Sequence, residues 1–258
     1  MNRTIQRLLA TAATGLVLAG TLGAGTAAAA PPRAADPAAV RAGVDRCTPL
    51  RITARAEPTV ANLQAVGRCE IDRRLETLTN LQSVVDASPT LTDAHEAALD
   101  AILASTGAGL RALRAEIDGD TTVEAVREDI GRIATDFRVY ALVVPQVALV
   151  RAVDTIVVTA AGFDATADRL EAAIDAAEAA GKNVRDARAH LATMIAKADK
   201  AEEAVDGVAA AVLALTPAAW NAGDAAPVLK DARDSVRDAR IALRQAMKAA
   251  RAVLADLR

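Results

Sequence analysis

Apolar residues recur at alternating steps of three and four along the last third of the chain, and this spacing constrains the fold more than any other feature. The repeat runs without an error from Val184 to Leu215, and it resumes from Leu229 to Leu257. Such a spacing places the apolar side chains on one stripe of an α-helix, as in helices that pack side by side. Because only a short stretch around Pro217 and Gly223 separates the two repeats, the sequence predicts antiparallel neighbouring helices there.

The amino-acid composition extends this prediction to the whole chain. Hydrophobic residues make up 52% of the 258 residues, whereas aromatic residues make up only 2%. The core must then be built from alanine, leucine and valine, which suits closely packed helices better than sheets. The predicted fold class is therefore all-α, an elongated antiparallel helical bundle or coiled coil.

Helices are also predicted in the first half of the chain. Apolar residues follow the helical period from Thr59 to Asp86, and the pair Ser88-Pro89 ends this helix. Thr92 is predicted to cap a second helix that runs to the turn formed by Asp118, Gly119 and Asp120. These two segments are thus expected to form a helical hairpin.

A third helix is predicted to begin at the capping box formed by Thr121 and Glu124. Its apolar pattern continues past Pro145 and ends at Gly181. A proline inside a helix removes a backbone hydrogen bond and crowds the preceding turn, so we expect a kink near Pro145. The sequence thus predicts two bundles that share one long kinked helix, an N-terminal bundle of residues 37–144 and a C-terminal three-helix coiled coil of residues 145–258. A single compact bundle is the alternative, and it would require a full break at Pro145.

The N-terminus has the pattern of a secretory signal peptide. Arg3 and Arg7 precede an apolar stretch that ends in a run of alanines, and we expect cleavage before Ala30. Residues 1–29 are then the signal peptide and residues 30–36 a linker. The mature chain keeps 28 basic and 33 acidic residues, a net charge of −5. We expect a secreted protein, extracellular or associated with the cell wall, with no stable membrane span after cleavage.

Two cysteines, Cys47 and Cys69, belong to the predicted mature chain. An even number of cysteines in an oxidising compartment predicts one disulfide bond. This bond would close a loop around Pro49 and Pro58, which are expected to break the chain. It would also hold a short N-terminal helix against the bundle.

No catalytic or metal-binding motif is recognisable in the sequence. His95 and Glu96 begin a pattern like that of zinc-protease helices, but Leu99 stands where the second histidine is required. The turn at Asp118 and Asp120 lacks the spaced oxygen ligands of a calcium loop. We therefore expect no enzymatic activity, no metal site and no cofactor. An enzyme without a recognisable motif stays open as an alternative.

A row of basic residues lies beside the apolar repeat of the last helix: Arg233, Arg237, Arg240, Arg244, Lys248 and Arg251. Such a row could bind an anionic polymer. The preceding helix carries acidic residues beside its own repeat, namely Asp199, Glu202 and Asp206. Because opposite charges on adjacent helices are typical of coiled-coil pairing, we expect the row to pair mainly with those acids. Nucleic acid is not expected as a partner, since the net charge is negative and few aromatic residues could stack on bases.

The run from Asp136 to Val158 holds the only tyrosine and the densest cluster of branched aliphatic residues. We expect this run to be buried where the two bundles join. Phe137, Arg138 and Tyr140 are the candidate contact site, because they concentrate unusual residue types on one stretch of helix. Insertion of residues 139–162 into lipid is an alternative. The twelve-residue run from Val139 to Val150 is too short to span a bilayer as one helix, and Arg151 and Asp154 would be costly inside it.

Three stretches resemble a family of secreted all-helical proteins from high-GC bacteria. They are "RCEIDRRLETLTNL" from Arg68, "LTDAHEAALDAIL" from Leu91 and "DFRVYALVVPQVALV" from Asp136, with the pattern D-[FY]-R-V-Y...P the most specific part. The resemblance covers about residues 65 to 175. It implies export and an all-helical fold, and it implies no catalytic residue. Cys47 departs from the family pattern, so the predicted disulfide depends on compartment and cysteine number alone.

These observations predict an exported, non-enzymatic helical protein that interacts with a protein or an envelope polymer. The alanine-rich seams could be completed within the chain or by a second copy, so both a monomer and a homo-oligomer stay open. The sequence alone identifies no specific partner.

Overall fold

The computed structural model describes residues 46–258, and in this range the fold is an all-α helical bundle. The predicted signal peptide, the linker and the first residues of the N-terminal bundle lie outside the described residues. The described part contains nine α-helices and no strand: α1 Thr48–Ala56, α2 Val60–Asp86, α3 Asp93–Gly119, α4 Val123–Thr135, α5 Val144–Ala179, α6 Arg185–Glu203, α7 Val208–Leu213, α8 Pro217–Ala222 and α9 Ala225–Asp256.

The disulfide between Cys47 and Cys69 is present, as predicted, with 5.8 Å between the two Cα atoms. It joins the start of α1 to α2. Pro49 does not break the chain, because it lies in the first turn of α1, where a missing N–H leaves no hydrogen bond unmade. Pro58 does separate α1 from α2.

The hairpin of α2 and α3 follows the predicted pattern. Thr59 and Thr92 cap the two helices through their side-chain oxygens, which accept hydrogen bonds from backbone N–H groups three residues later. The cap of α4 lies one residue beyond the prediction. Thr122, not Thr121, accepts the hydrogen bond from the Ala125 N–H at 3.2 Å.

The long third helix is interrupted at Arg138, seven residues before Pro145, and the predicted kink near Pro145 is not confirmed. Arg138 adopts the left-handed conformation, with φ 44° and ψ 35°, and a wide π-helical turn over Val139–Val143 leads into α5. In this turn the Val144 N–H bonds to the Val139 carbonyl, five residues back. Pro145 then falls in the first turn of α5, where its missing N–H costs little.

The predicted continuous helix from Val184 to Leu215 is also interrupted. α6 ends at Glu203, and Gly207 turns the chain with a φ of 67° before α7 begins. This conformation suits glycine because a Cβ would be strained there. The apolar positions of the repeat still face the interior, since Val205 is 2% exposed and Val212 is fully buried. The pattern thus predicted burial correctly, but not the break.

The apolar core has two parts within residues 46–258. The larger part includes side chains from α1 to α5, α7 and the first half of α9. The smaller part is formed by α5, α6 and the end of α9, with Ile174, Met194 and Val253 at its centre. The predicted boundary between residues 144 and 145 lies inside the larger part, because Val143 and Val147 both belong to it. α5 contributes to both parts and connects them.

Candidate functional site: an arginine-lined groove

Phe137 packs against the neighbouring helix α3. Its ring is half-buried and packs on α3 at Gly109, where a Cβ atom would overlap the ring. Glycine is therefore required at position 109 for this close approach. The contacts of Phe137 are therefore those of a packing residue.

Arg138 connects the break in the chain to α8. Its Nε and Nη2 donate hydrogen bonds to Asn221 Oδ1 at 2.8 and 2.5 Å. Asn221 in turn donates from Nδ2 to the Thr135 carbonyl at 2.9 Å, which satisfies an open acceptor at the end of α4. These bonds hold Arg138 in its left-handed conformation.

Tyr140 lies against α2. The guanidinium carbons of Arg73 and Arg74 are 5.1 and 5.2 Å from the centre of its ring, which is the geometry of cation–π contacts. Both guanidinium groups also donate to Glu70 Oε2 at 2.8 Å. Phe137, Arg138 and Tyr140 thus contact three different helices, α3, α8 and α2.

A groove of about 530 Å³ lies between the first three turns of α5 and the middle part of α9. The two helices run in the same direction, since their C-terminal ends also meet, where Lys182 Nζ donates to the Leu257 carbonyl at 2.7 Å. Ten residues line the groove: Val144, Pro145, Ala148, Leu149, Ala152, Arg233, Val236, Arg237, Arg240 and Arg244. The groove therefore has an apolar floor and a wall of four arginines, and its volume falls in the range of ligand-binding clefts.

Gln146 anchors the part of α5 that forms the floor of the groove, through a side chain that is buried in the protein interior. This side chain is 1% exposed, and its Nε2 donates to the carbonyls of Val212 and Leu215, both at 3.0 Å. These are open acceptors at the end of α7. The wide turn before Val144 and the Gln146 anchor together determine which side of α5 faces the groove.

The arginine wall keeps most of its positive charge unpaired. Arg237 donates to Asp234 Oδ1 at 2.7 Å and to Asp238 Oδ1 at 3.2 Å, and these bonds, first to Asp238, raise its pKa. Arg233, Arg240 and Arg244 have no hydrogen bond or ion pair within residues 46–258. None of the residues that line the groove in the described part of the chain carries a carboxylate. The wall can therefore attract an anion without first breaking an existing ion pair.

The ion pairs predicted between α6 and α9 do not form within the described residues. None of Asp199, Glu202 and Asp206 bonds to the basic row within residues 46–258. A side-chain hydrogen bond joins α6 to α9 in the reverse sense, between His190 Nδ1 and Asp256 Oδ2 at 2.8 Å. The prediction failed because four residues of the row, Arg233, Arg237, Arg240 and Arg244, line the groove beside α5, whereas α6 packs against the alanine seam of α9.

A buried carboxylate that the sequence did not reveal lies on the opposite face of α5. Asp154 is 4% exposed, and its oxygens accept hydrogen bonds from the Thr92 N–H at 2.9 Å and from His95 Nδ1 at 2.8 Å. Nearby, Arg151 Nε donates to Ser88 Oγ at 2.5 Å, and partial burial lowers the pKa of Arg151. These bonds attach the turn between α2 and α3 to α5. Within residues 46–258 no group of three or more His, Cys, Asp or Glu side chains could hold a metal ion.

The helical segment Val123–Ala179 is long and apolar enough to cross a membrane by composition alone. Half of the most apolar 18-residue stretch of this segment is buried inside the protein. Leu142, Val150 and Ile156 lie in the core. Core helices of soluble proteins satisfy the same criterion, so the composition is weak evidence for a membrane span. Insertion of residues 139–162 into lipid would require these side chains to leave the core.

No protein-family model, no curated protein and no solved structure matches this chain. The resemblance to secreted helical proteins of high-GC bacteria therefore stays an expectation.

Proposed function

We propose that the chain is an exported, non-enzymatic helical protein that binds an anionic partner of the cell envelope in the groove between α5 and α9. The observation that carries this proposal is the unpaired arginine wall beside an apolar floor. Guanidinium groups remain protonated and donate paired hydrogen bonds that match carboxylate and phosphate groups. Such groups suit binding better than acid–base catalysis, for which a side chain must exchange protons near neutral pH.

The charge distribution along α9 supports an anionic partner. From Lys230 to Arg251 the helix carries seven basic and three acidic residues, a net charge of +4, within a chain whose total charge is negative. Lys230 and Arg237 form ion pairs with these three acidic residues. The remaining positive charge is concentrated where the groove opens, and it would attract anions from solution.

The disulfide supports export. A bond between Cys47 and Cys69 persists in an oxidising compartment, such as the outside of a bacterial cell, and is rare in the cytosol. Anionic polymers and lipids of the envelope would then be accessible to the mature protein. We infer an envelope or extracellular location on this basis.

The proposal is tested by titrating residues 30–258 with long-chain inorganic polyphosphate and with vesicles that contain phosphatidylglycerol. The test variant is R233Q/R240Q/R244Q. The matched control is R55Q/R127Q/R169Q, which removes three exposed arginines outside the groove that have no partner within the described residues. Circular dichroism checks that both variants fold.

Wild-type protein should bind at least one probe, and more weakly at higher salt because the contacts are ionic. The groove variant should lose at least about tenfold in affinity, since several charge-assisted hydrogen bonds are removed, and the control should stay near wild type. Equal binding by the groove variant and wild type would contradict the proposal. Absence of binding to both probes would do so as well.

A further inference from the structure

The floor of the groove is apolar and offers no side-chain group that could bind a charged ligand. Its residues are Val144, Pro145, Ala148, Leu149, Ala152 and Val236, and none has a polar side-chain atom. Ala148 is exposed, and Val144, Pro145 and Ala152 are half-buried, so this strip is in contact with water in the free protein. Covering it with an apolar group would be favourable. A hydrophilic polyanion would leave it uncovered.

The size of the groove favours a small ligand over a protein. Its volume of about 530 Å³ is in the range of small-molecule clefts. It is lined by ten residues, whereas a stable protein interface involves about 20–30 residues on each side. From Val144 to Ala152 the floor extends about 12 Å along α5 at 1.5 Å per residue. This is a narrow strip, suited to a single extended hydrocarbon chain.

The unpaired arginines are unevenly distributed along the wall. Arg240 and Arg244 are one helical turn apart, so their side chains project from neighbouring positions and can hold one anion between them. Arg237, the next basic residue towards the start of the helix, is occupied by Asp234 and Asp238. Arg233 is two turns from Arg240 and stands alone. The end of the groove near Arg240 and Arg244 is therefore its strongest anion site.

We propose that the groove binds an amphiphile with one alkyl chain and one anionic headgroup, with the chain on the α5 floor and the headgroup between Arg240 and Arg244. The carboxylate of a fatty acid and the phosphate of a monoalkyl phosphate or lysolipid provide the same chemistry for this site. The inference rests on the proposed function, since it names the class of anion that the groove takes. A polyanion and an acidic helix of a partner protein are the competing occupants.

The experiment is isothermal titration of residues 30–258 with octanoate, decanoate, dodecanoate and dodecyl phosphate, each below its micelle concentration. Dodecanol is the uncharged control, and polyphosphate is the probe for charge alone. The variants are R240Q/R244Q for the headgroup site and Ala148→Gln for the floor. Ala161→Gln is the matched control, because Ala161 is also exposed on α5 but does not line the groove.

Affinity should rise about two- to fourfold for each added methylene, since a fully buried methylene contributes about fourfold and an open groove buries less of it. R240Q/R244Q should weaken dodecanoate binding at least about tenfold. Ala148→Gln should weaken dodecanoate binding while polyphosphate binding stays unchanged, and Ala161→Gln should change neither. Comparable affinities for dodecanoate and dodecyl phosphate would support the shared anionic chemistry. A large preference for one of the two ligands would identify its headgroup, carboxylate or phosphate, as the one that the groove binds.

Equal affinity for octanoate and dodecanoate, together with arginine-dependent polyphosphate binding, would overturn this inference and leave the proposed function standing. Equal binding of dodecanol and dodecanoate would show that the headgroup charge is irrelevant and would overturn this inference. Failure of every ligand, polyphosphate included, would also overturn this inference, and together with failure to bind the phosphatidylglycerol vesicles it would overturn the proposed function.

Discussion

Asn221 Oδ1 accepts hydrogen bonds from both Nε and Nη2 of Arg138, at 2.8 and 2.5 Å, across 83 residues of sequence. The Asn221 amide also caps the carbonyl of Thr135. A single side chain on α8 thus closes the break between α4 and α5. The arginine that it holds would otherwise favour a right-handed conformation.

Asn221→Ala is expected to lower the free energy of unfolding by about 1–2 kcal/mol, because it removes three hydrogen bonds at a partly exposed site. Arg138→Gly should then stabilise the Asn221→Ala protein by about 1 kcal/mol, since glycine tolerates the left-handed conformation. In the wild-type background the same change should bring little gain. Urea denaturation of the four proteins measures this coupling. Additive effects would show that Asn221 does not hold Arg138, and Asn80→Ala, an exposed helical change, serves as the control.

Gly109→Ala is expected to destabilise the protein by about 1–3 kcal/mol, although alanine is the better helix former. The new Cβ would overlap the Phe137 ring and displace it. Gly162→Ala is the control, because a Cβ at Gly162 meets nothing within 4 Å, and it should stabilise the protein by about 0.5–1 kcal/mol. Thermal unfolding distinguishes the two directions. A rise in Tm for Gly109→Ala would show that Phe137 does not pack there.

Asp154→Ala is expected to lower the free energy of unfolding by about 2–4 kcal/mol, because His95 Nδ1 and the Thr92 N–H lose their acceptor in a buried place. Asp164→Ala removes an exposed carboxylate of the same helix that has no partner within the described residues, and it should change stability by less than about 0.5 kcal/mol. Chemical denaturation provides the comparison. Similar small effects for both changes would mean that the Asp154–His95 contact contributes nothing to stability.

Asp120→Asn is expected to raise the Tm at pH 7 and to leave it unchanged at pH 3. One carboxylate oxygen of Asp120 is shielded from solvent and has no hydrogen-bond partner among residues 46–258. This desolvation, followed by the charges of Asp129, Glu116 and Glu128, raises its pKa. A raised carboxyl pKa means that the folded state holds the proton more tightly, so ionisation at neutral pH disfavours folding. The amide removes that cost at pH 7, whereas at pH 3 both side chains are neutral.

Asp168→Asn is the control for this pH comparison, because Asp168 is exposed on α5 and has no partner within the described residues. Its Tm should follow wild type at both pH values. If Asp120→Asn lowered the Tm at pH 7, the carboxylate would have a favourable partner, and the structural account of the turn would be wrong.

Helical periodicity predicted most of the fold because it reports which face of each helix is buried. The repeat from Val184 identified buried positions correctly even where Gly207 breaks the helix. The break at Arg138 was missed because a left-handed arginine has no local sequence signal. Its conformation depends on Asn221 and on the contact of Phe137 with Gly109, both distant in sequence. The even number of cysteines, together with the expected export to an oxidising compartment, was sufficient to predict the disulfide.

The groove could be predicted only in part. The basic row from Arg233 was visible in the sequence, but its neighbour was assigned as α6 on the basis of charge. The actual neighbour is the apolar face of α5 that begins at Val144, about ninety residues earlier. The contact between Asp154 and His95 was likewise not predicted, because 59 residues of sequence separate the two partners.

The most direct test of the groove is an NMR titration that follows the Nε–H signals of the arginine side chains as dodecyl phosphate is added. The account predicts that the signals of Arg240 and Arg244 shift and saturate together, while those of Arg55 and Arg169, outside the groove, remain in place. Equal shifts at all four arginines, or saturating shifts confined to Arg55 and Arg169, would contradict a binding site between α5 and α9.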